Sequence, residues 1–246
     1  MIQSQHIFFN RFSWSLKLVI LAAMIILAVG CSSTPQVINH PAPQFSLNTT
    51  AFDQSGCSED QNGRQVCPAD SPVGRLGCEQ ISTPGMYLGG LEPAYPLNVC
   101  WIAQTTGDSQ YVYREGCLLP QYLSYVIWEN GSFRRLADQN DLRAAYAPIL
   151  SKNEALSYAL AATGLAAYFD LQAPSNLRYF SERLEDTHVE VSPEGYLVHL
   201  YHYQLCGCGP HTTTAVEILV RQDGRLEELS RSPVYEDPEQ DGLCID

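Results

Sequence analysis

The stretch THVEVSPEGYLVHLYHYQLCGCGPHTTTAVEILVRQDGRLEEL, residues 187–229, decides the fold that this sequence predicts. It contains four runs in which apolar residues alternate with polar ones or follow each other directly, as in β-strands. The runs are residues 187–191, 196–205, 212–221 and 226–229. Turn residues such as Asp223-Gly224 separate the runs. Strands joined by such short connections favour an antiparallel β-meander.

A helix is predicted upstream of this meander, over residues 151–169. Ser151 and Glu154 have capping-box spacing, in which the two side chains satisfy free backbone donors of the first helical turn. The Ala-rich segment that follows places Leu156 and Leu160 on one stripe, as in a helix that faces a core. We expect this helix to pack on the C-terminal antiparallel meander, so the predicted fold class is α+β.

The folded part of the chain, residues 56–246, divides by composition into two regions. Residues 56–137 are rich in Cys, Gly and Pro and are expected to form loops and a small sheet, with a hairpin at Asn130-Gly131. Residues 138–246 are expected to form the α+β domain, with a further short helix over residues 176–184. The prediction is therefore a disulfide-stabilised α+β body preceded by a Cys-rich small-sheet part.

Residues 1–30 have the composition of a secretory signal peptide. Arg11 and Lys17 precede an unbroken apolar run over residues 18–29, and no acidic residue occurs in this segment. The run has twelve residues, whereas a helix needs about 20 apolar residues to cross a bilayer. We therefore expect the segment to direct export and to be cleaved.

The apolar run ends in LAVGC, residues 27–31, with a small residue directly before Cys31. This resembles the lipobox of bacterial lipoproteins, in which a diacylglyceryl group is attached to the cysteine thiol and the signal is cut before it. Leu27 stands one position further from the cysteine than in the usual pattern. The resemblance implies a lipid anchor on Cys31 and, with Ser32 rather than Asp after it, a place at the outer membrane if the cell has one. The alternative is an ordinary cleaved signal with Cys31 in a disulfide.

The segment after the lipobox and the charge of the chain limit the partners. Residues 31–55 are rich in Ser, Thr, Pro, Gln and Asn and are expected to be the lipidated N-terminus and a disordered tether. The whole chain has a net charge of -13, and removal of the two signal-peptide cations makes the mature chain more acidic. Such a surface repels phosphate backbones, so a nucleic-acid partner is excluded. The expected partners are the membrane, through lipid, and another envelope protein or ligand.

Eight cysteines remain when Cys31 is assigned to lipid, and export makes their oxidation the default. They are Cys57, Cys67, Cys78, Cys100, Cys117, Cys206, Cys208 and Cys244. Eight cysteines allow 105 complete pairings, so the connectivity stays open. Five of them precede residue 120 and three follow residue 200, and both counts are odd. If all eight pair, at least one bridge must join the two groups.

The densest group of reactive side chains is CGCGPH, residues 206–211. Cys206, Cys208 and His211 could supply thiolate and imidazole ligands to zinc or copper. The other interpretation is structural disulfides. Cysteines two apart on an extended strand lie at the edge of bridge geometry, so each would pair elsewhere, one with Cys244 and one with the N-terminal group. A redox-active dithiol is a third possibility.

Two functional hypotheses follow, because no stretch carries a catalytic signature such as Gly-x-Ser-x-Gly, His-Glu-x-x-His or a phosphate loop. The first is a non-catalytic, membrane-anchored binding or interaction module of the cell envelope. The alternative is a metal-binding or thiol-redox envelope protein centred on the cluster at residues 206–211. Enzymatic activity is not expected, and His199 and His202 on a predicted strand are expected to serve ordinary packing.

Overall fold

The computed structural model describes residues 34–102 and 110–245. Within these ranges the chain forms two α-helices and sixteen β-strands in four sheets. The helices are α1 (Gln139–Tyr146) and α2 (Lys152–Thr163). The largest sheet contains β2 (Ser58–Glu59), β3 (Gln65–Val66), β4 (Cys78–Ser82), β5 (Leu97–Ile102), β6 (Tyr113–Glu115), β7 (Gln121–Glu129) and β8 (Ser132–Leu136).

The second sheet is the C-terminal meander with one added edge strand. It contains β9 (Arg178–Tyr179), β11 (His188–Ser192), β12 (Gly195–Tyr203), β14 (Thr212–Arg221) and β15 (Leu226–Glu236). The two smaller sheets are the parallel pair β1 (Gln36–Ile38) with β10 (Arg183–Glu185) and the antiparallel pair β13 (Gly207–Cys208) with β16 (Cys244–Ile245).

All pairings in the two large sheets are antiparallel. The larger sheet has the order β2-β3-β4-β5-β7-β6, with β8 also paired to β7, and the meander has the order β11-β12-β14-β15-β9. Strand therefore dominates over helix in the described ranges. The α+β prediction is confirmed in this coarse form, as a mostly β body with two helices and antiparallel sheets.

Helix α2 supplies the centre of the main hydrophobic core. Its segment from Ala155 to Ala162 is buried throughout, and the helix contacts β11, β12 and β14. Val198 and Leu200 of β12 belong to the same core, as does Leu123 of β7. Residues 56–137 and 138–246, which the sequence analysis separates, thus share one core, because the apolar faces of both parts close over α2.

Local sequence signals account for the ends of several elements. Asn130 and Gly131 have φ angles of 51° and 80° between β7 and β8, the left-handed conformation that a two-residue hairpin turn requires. The Ser151 hydroxyl accepts a hydrogen bond from the Glu154 N–H at 3.2 Å, as predicted, whereas the Glu154 carboxylate accepts from the Leu150 N–H instead of the Ser151 N–H. Helix α2 ends at Thr163 rather than at residue 169, because Gly164 takes a left-handed conformation with φ of 68°.

Four disulfides join all eight candidate cysteines, which confirms the predicted disulfide framework. The bridges are Cys57–Cys67, Cys78–Cys100, Cys117–Cys206 and Cys208–Cys244. The bridge from Cys117 to Cys206 spans 89 residues and joins the N-terminal and C-terminal groups, as the odd counts require. It ties the larger sheet to the end of the meander.

Two segments differ from the sequence-based expectation. Residues 31–55 were expected to be a disordered tether, but they include β1 and a 3-10 turn at Thr50–Gln54, and Phe45 packs against the main core. The scattered apolar residues of this polar segment gain enough burial to order it. Residues 176–184, expected to be helical, form β9 and the start of β10, because pairing with neighbouring strands outweighs local propensity.

The predicted signal peptide and Cys31 lie outside the described residues. Among the residues that the structure describes, neither α-helix has the length and apolar character that a membrane crossing needs.

Candidate functional site

The cluster that stands out in the sequence is held by structural bonds. Cys206 is bonded to Cys117 and Cys208 to Cys244, so neither sulfur is a free thiolate in the oxidised chain. His211 has only 1% of its surface exposed, and its ring nitrogens lie 2.9 and 3.0 Å from the carbonyl oxygens of Gln204 and Leu243. Carbonyl oxygens only accept, so both bonds form together when each nitrogen carries a proton. The predicted metal ligands are therefore all engaged elsewhere.

A second group of histidines lies at the edge of the meander, where β1 meets β10. The parallel register of these strands places Ile38 opposite Glu185. His40 follows two residues after Ile38, and His188 begins β11 three residues after Glu185. The strand pairing thus brings His40 beside two residues that are about 145 positions away in the chain.

Strand register also aligns His188 with His199. The two residues are direct partners across β11 and β12, and His199 is in turn opposite Glu217 of β14. The ring centroids of His40 and His188 are 4.3 Å apart, and those of His188 and His199 are 5.1 Å apart, with interplanar angles of 20° and 26°. We call His40, His188 and His199 the histidine stack. Since Val198 and Leu200 face α2, the alternation of the strand turns His199 to the opposite face.

Three electron-pair donors converge at the outer end of the histidine stack. The His40 Nε2 atom lies 2.9 Å from the Glu185 Oε1 atom, which lies 3.9 Å from the His188 Nε2 atom. All three donor atoms lie within 4.8 Å of one another. The side chains of Glu185 and His188 keep 27% and 16% of their surface exposed, so the site is accessible from solvent.

The backbone fixes which nitrogen of His188 faces this site. His188 Nδ1 lies 2.9 Å from the Asp186 carbonyl oxygen, and an oxygen of this kind accepts a hydrogen bond. In the neutral ring Nδ1 therefore carries the proton and Nε2 presents a lone pair toward the Glu185 carboxylate. Two lone-pair donors that face each other in this way can share a proton or a metal cation. Histidine ligands of metals are commonly held by such a hydrogen bond from the other ring nitrogen.

Asp186 holds the segments that carry the ligands. Its side chain is fully buried and accepts four hydrogen bonds of 3.0 to 3.1 Å. The donors are the Asn39 side-chain amide and the backbone N–H groups of His40, Asp170 and Leu171. The carboxylate thereby joins the segment after β1 to the segment that follows α2, and it positions the His40 backbone.

His199 packs against His188 in the histidine stack, and both of its ring nitrogens have hydrogen-bonding partners. Its Nδ1 atom lies 2.5 Å from Glu217 Oε1, and its Nε2 atom lies 3.4 Å from the Tyr201 hydroxyl. Tyr201 donates its own proton to the Glu185 carbonyl oxygen, so the hydroxyl oxygen is free to accept from His199. His199 therefore packs against His188 and connects it to a second carboxylate without being a metal ligand itself.

The histidines also change the acidity of Glu185. Burial raises the pKa of the Glu185 carboxyl, but the hydrogen bond with His40 and the charges of His188, His199 and His40 together outweigh it. The pKa of Glu185 consequently lies below its ordinary value, and the group is a carboxylate at neutral pH. An ionised carboxylate is the form that binds a metal.

The donor set fits a borderline transition-metal ion. Bonds of about 2.1 Å to nitrogen and oxygen put two tetrahedral ligands about 3.4 Å apart, and the observed 2.9 and 3.9 Å lie on either side of this value. Two imidazoles and one carboxylate suit zinc or divalent copper, whereas calcium and magnesium prefer oxygen ligands alone. Glu190 Oε1 lies 3.9 Å from His188 Nε2 on a largely exposed side chain, within reach as a fourth ligand.

An open groove of about 520 Å³ lies next to this region. Its lining includes Tyr87, Phe169 and Tyr235 together with Asp170, whose backbone N–H is bound by Asp186. The groove therefore shares the segment at residues 170–171 with the metal-ligand arrangement.

Sequence reasoning missed this site for a physical reason. His199 was expected to serve packing only, and neither His40 nor Glu185 was singled out. His202, which was given the same expectation, is exposed on β12 and lies outside the stack. The one available signal is local, since Glu185 and His188 are three residues apart at the start of the strand predicted over residues 187–191. No protein-family model matches the chain, and comparisons with curated proteins and with solved structures give no match.

Proposed function

We propose that this protein is a lipid-anchored binding module of the bacterial cell envelope that binds one zinc or copper ion through His40, Glu185 and His188. The convergence of three donor atoms within 4.8 Å, with His188 Nε2 held in its lone-pair form, is the observation that carries the proposal. In this arrangement the edge of the meander and the adjoining pair β1 and β10 form the binding part.

The charge of the molecule favours such a ligand. The chain has a net charge of -13, which raises the local concentration of cations and speeds their association. The same charge disfavours nucleic acid and acidic lipid headgroups as partners. A metal-binding role requires no catalytic group, which agrees with the absence of catalytic signatures from the sequence.

Calorimetric titration of the metal-free, full-length protein in detergent tests the proposal. We expect one zinc ion to bind per chain, and His188→Ala to weaken binding by about 100-fold, equivalent to about 2.7 kcal/mol. His202→Ala is the matched control, because this histidine lies on neighbouring β12 and outside the stack. Equal zinc affinity of wild type and His188→Ala would overturn the site assignment.

The same titration separates the alternative site. Thiolate ligation by Cys206 and Cys208 with His211 requires that both bridges be opened, because both sulfurs are oxidised in the structure. Binding that occurs without reductant, and persists in Cys208→Ala/Cys244→Ala, supports the histidine site. Binding that occurs only after reduction supports a thiolate or redox function.

The lipid anchor needs an experiment of its own. The proposal places a diacylglyceryl group on Cys31 and the protein at the outer membrane where one is present. Cells labelled with a radioactive fatty acid should mark the wild type and leave Cys31→Ala unmarked. An unlabelled wild-type protein would contradict the anchor while leaving the metal site untouched.

A further inference from the structure

The metal site has ligands on two segments, and one of them is a short edge strand with the residues that follow it. Strand β1 has three residues and pairs only with β10 among the described strands. No side chain between residues 36 and 44 is fully buried. Beyond the pairing, the segment is attached by buried Pro35 directly before it and by the packing of Val37 near Leu184. Asn39 and His40 are bonded to Asp186, and the His40 ring contacts Glu185 and His188. Docking of residues 36–40 therefore depends on a three-residue edge pairing and on contacts that include the His40 ligand itself.

His40 is the one proposed ligand that this segment supplies, whereas Glu185 and His188 belong to the body. We infer that a bound ion locks residues 36–40 onto the body through its bond to His40. This inference rests on the proposed metal binding, because the lock exists only if the ion binds all three ligands.

Linkage sets the size of the effect. An ion that binds the docked form and not the undocked form reduces the opening equilibrium by a factor of one plus the ratio of free ion concentration to Kd. At 100 times the Kd the segment opens about 100-fold less often. A change that weakens docking lowers the apparent metal affinity by the factor by which it lowers the fraction of docked chains.

Hydrogen exchange on the full-length lipidated protein in detergent measures this lock directly. We compare the metal-free protein with protein at a zinc concentration 100 times its Kd. Zinc should slow amide exchange in residues 36–40 by about 100-fold, including the Gln36 N–H that is bonded to the Glu182 carbonyl and the His40 N–H that is bonded to Asp186. Exchange in β7, which lies in the other sheet, should not change and serves as the internal control.

Variants distinguish this inference from the metal-binding proposal. Val37→Ala, and the stronger Val37→Asp, loosen docking without removing a ligand. Each should speed exchange in residues 36–40 of the metal-free protein and weaken zinc binding by the factor by which it lowers the docked fraction. His188→Ala should weaken zinc binding by about 100-fold and, at the same zinc concentration, reduce the protection of residues 36–40 from about 100-fold to about twofold. If zinc binds with the expected affinity and leaves this exchange unchanged, the lock is refuted and the binding function stands. If zinc does not bind, the binding function itself fails.

Discussion

His211 and His188 both lie beside the C-terminal meander, yet their ring nitrogens meet opposite surroundings. Both nitrogens of His211 face carbonyl oxygens in a buried position between two disulfides. His188 has one nitrogen on a carbonyl oxygen and turns the other toward carboxylates in a partly exposed position. Both nitrogens of the His211 ring face acceptors of its own backbone, whereas His188 turns one nitrogen to side-chain carboxylates that can share a cation with it. Ligand binding is therefore expected at His188, although His211 stands in the more conspicuous sequence.

The largest expected effect concerns the bridge beside His211. Cys208→Ala/Cys244→Ala opens a loop of 36 residues and should lower the free energy of unfolding by about 4 kcal/mol in the chain-entropy model. Cys57→Ala/Cys67→Ala, with a separation of 10 residues, should lower it by about 2.7 kcal/mol. Chemical denaturation measures both. Loss of zinc affinity in Cys208→Ala/Cys244→Ala would contradict the assignment of metal binding to His188 rather than to the region around His211.

Removal of the His211 ring should affect stability and leave the metal site intact. His211→Ala leaves two buried carbonyl oxygens without their donor and opens a cavity, at a combined cost of about 2 to 4 kcal/mol. Zinc affinity measured by calorimetry should stay within about twofold of wild type. Loss of zinc binding on this change, with the fold retained, would transfer the site from the histidine stack to the disulfide region.

Asp186 should affect both stability and binding, because it positions the backbone of His40. Asp186→Asn replaces acceptor lone pairs with an amide that faces N–H donors, and we expect a loss of about 1 to 3 kcal/mol in unfolding free energy. Zinc affinity should fall by about tenfold, as is common for groups that orient metal ligands. Asp170→Asn is the matched control, since Asp170 contributes only its backbone to this network. Equal behaviour of the two variants would show that Asp186 does not position the site.

The smallest effect is a change in the pH dependence of the metal-free protein. Burial raises the pKa of Glu185, and the His40 hydrogen bond and the charges of the three histidines lower it further than burial raises it. A carboxyl whose pKa is lower in the folded state stabilises the fold above its unfolded pKa of about 4.3 and loses this contribution as the pH falls through the folded value. Glu185→Gln should therefore be less stable than wild type at pH 7, with a difference that shrinks below about pH 4.

Urea midpoints measured between pH 7 and pH 3 check this prediction. Glu190→Gln is the control, because Glu190 is largely exposed and lies 3.9 Å from His188 without a hydrogen bond to His40. A wild-type acid profile in Glu185→Gln would show that the histidines do not stabilise the Glu185 carboxylate.

Local patterns predicted the meander well because they act between residues that are close in the chain. The alternating runs became β11, β12, β14 and β15, and Asn130-Gly131 formed the hairpin turn. The predicted extent of α2 was wrong at its C-terminal end, because Gly164 was read as an interior residue and not as a cap. The helix predicted over residues 176–184 was also wrong, since long-range pairing with β15 and β1 decided that segment.

Local sequence patterns could not predict the candidate metal site. His40 carries no signal of its own within a Pro-rich segment that was expected to be disordered, and its partner Glu185 follows a misassigned helix. A cluster such as CGCGPH is visible because its members are adjacent in the chain. That adjacency gives no information about whether the ring nitrogens are already satisfied.

The sequence by itself determined the strands of the meander, the capped start of α2, the odd cysteine counts that required one bridge between the two groups, and the expectation of lipid on Cys31. These follow from periodicity, local hydrogen bonding and counting, which need no partner from elsewhere in the chain. Only the tertiary structure decided the cysteine pairing, the docking of β1 on β10 and the meeting of His40 with His188. Such contacts depend on strand register across about 145 residues, and each is stable only after the core has brought its two sides together.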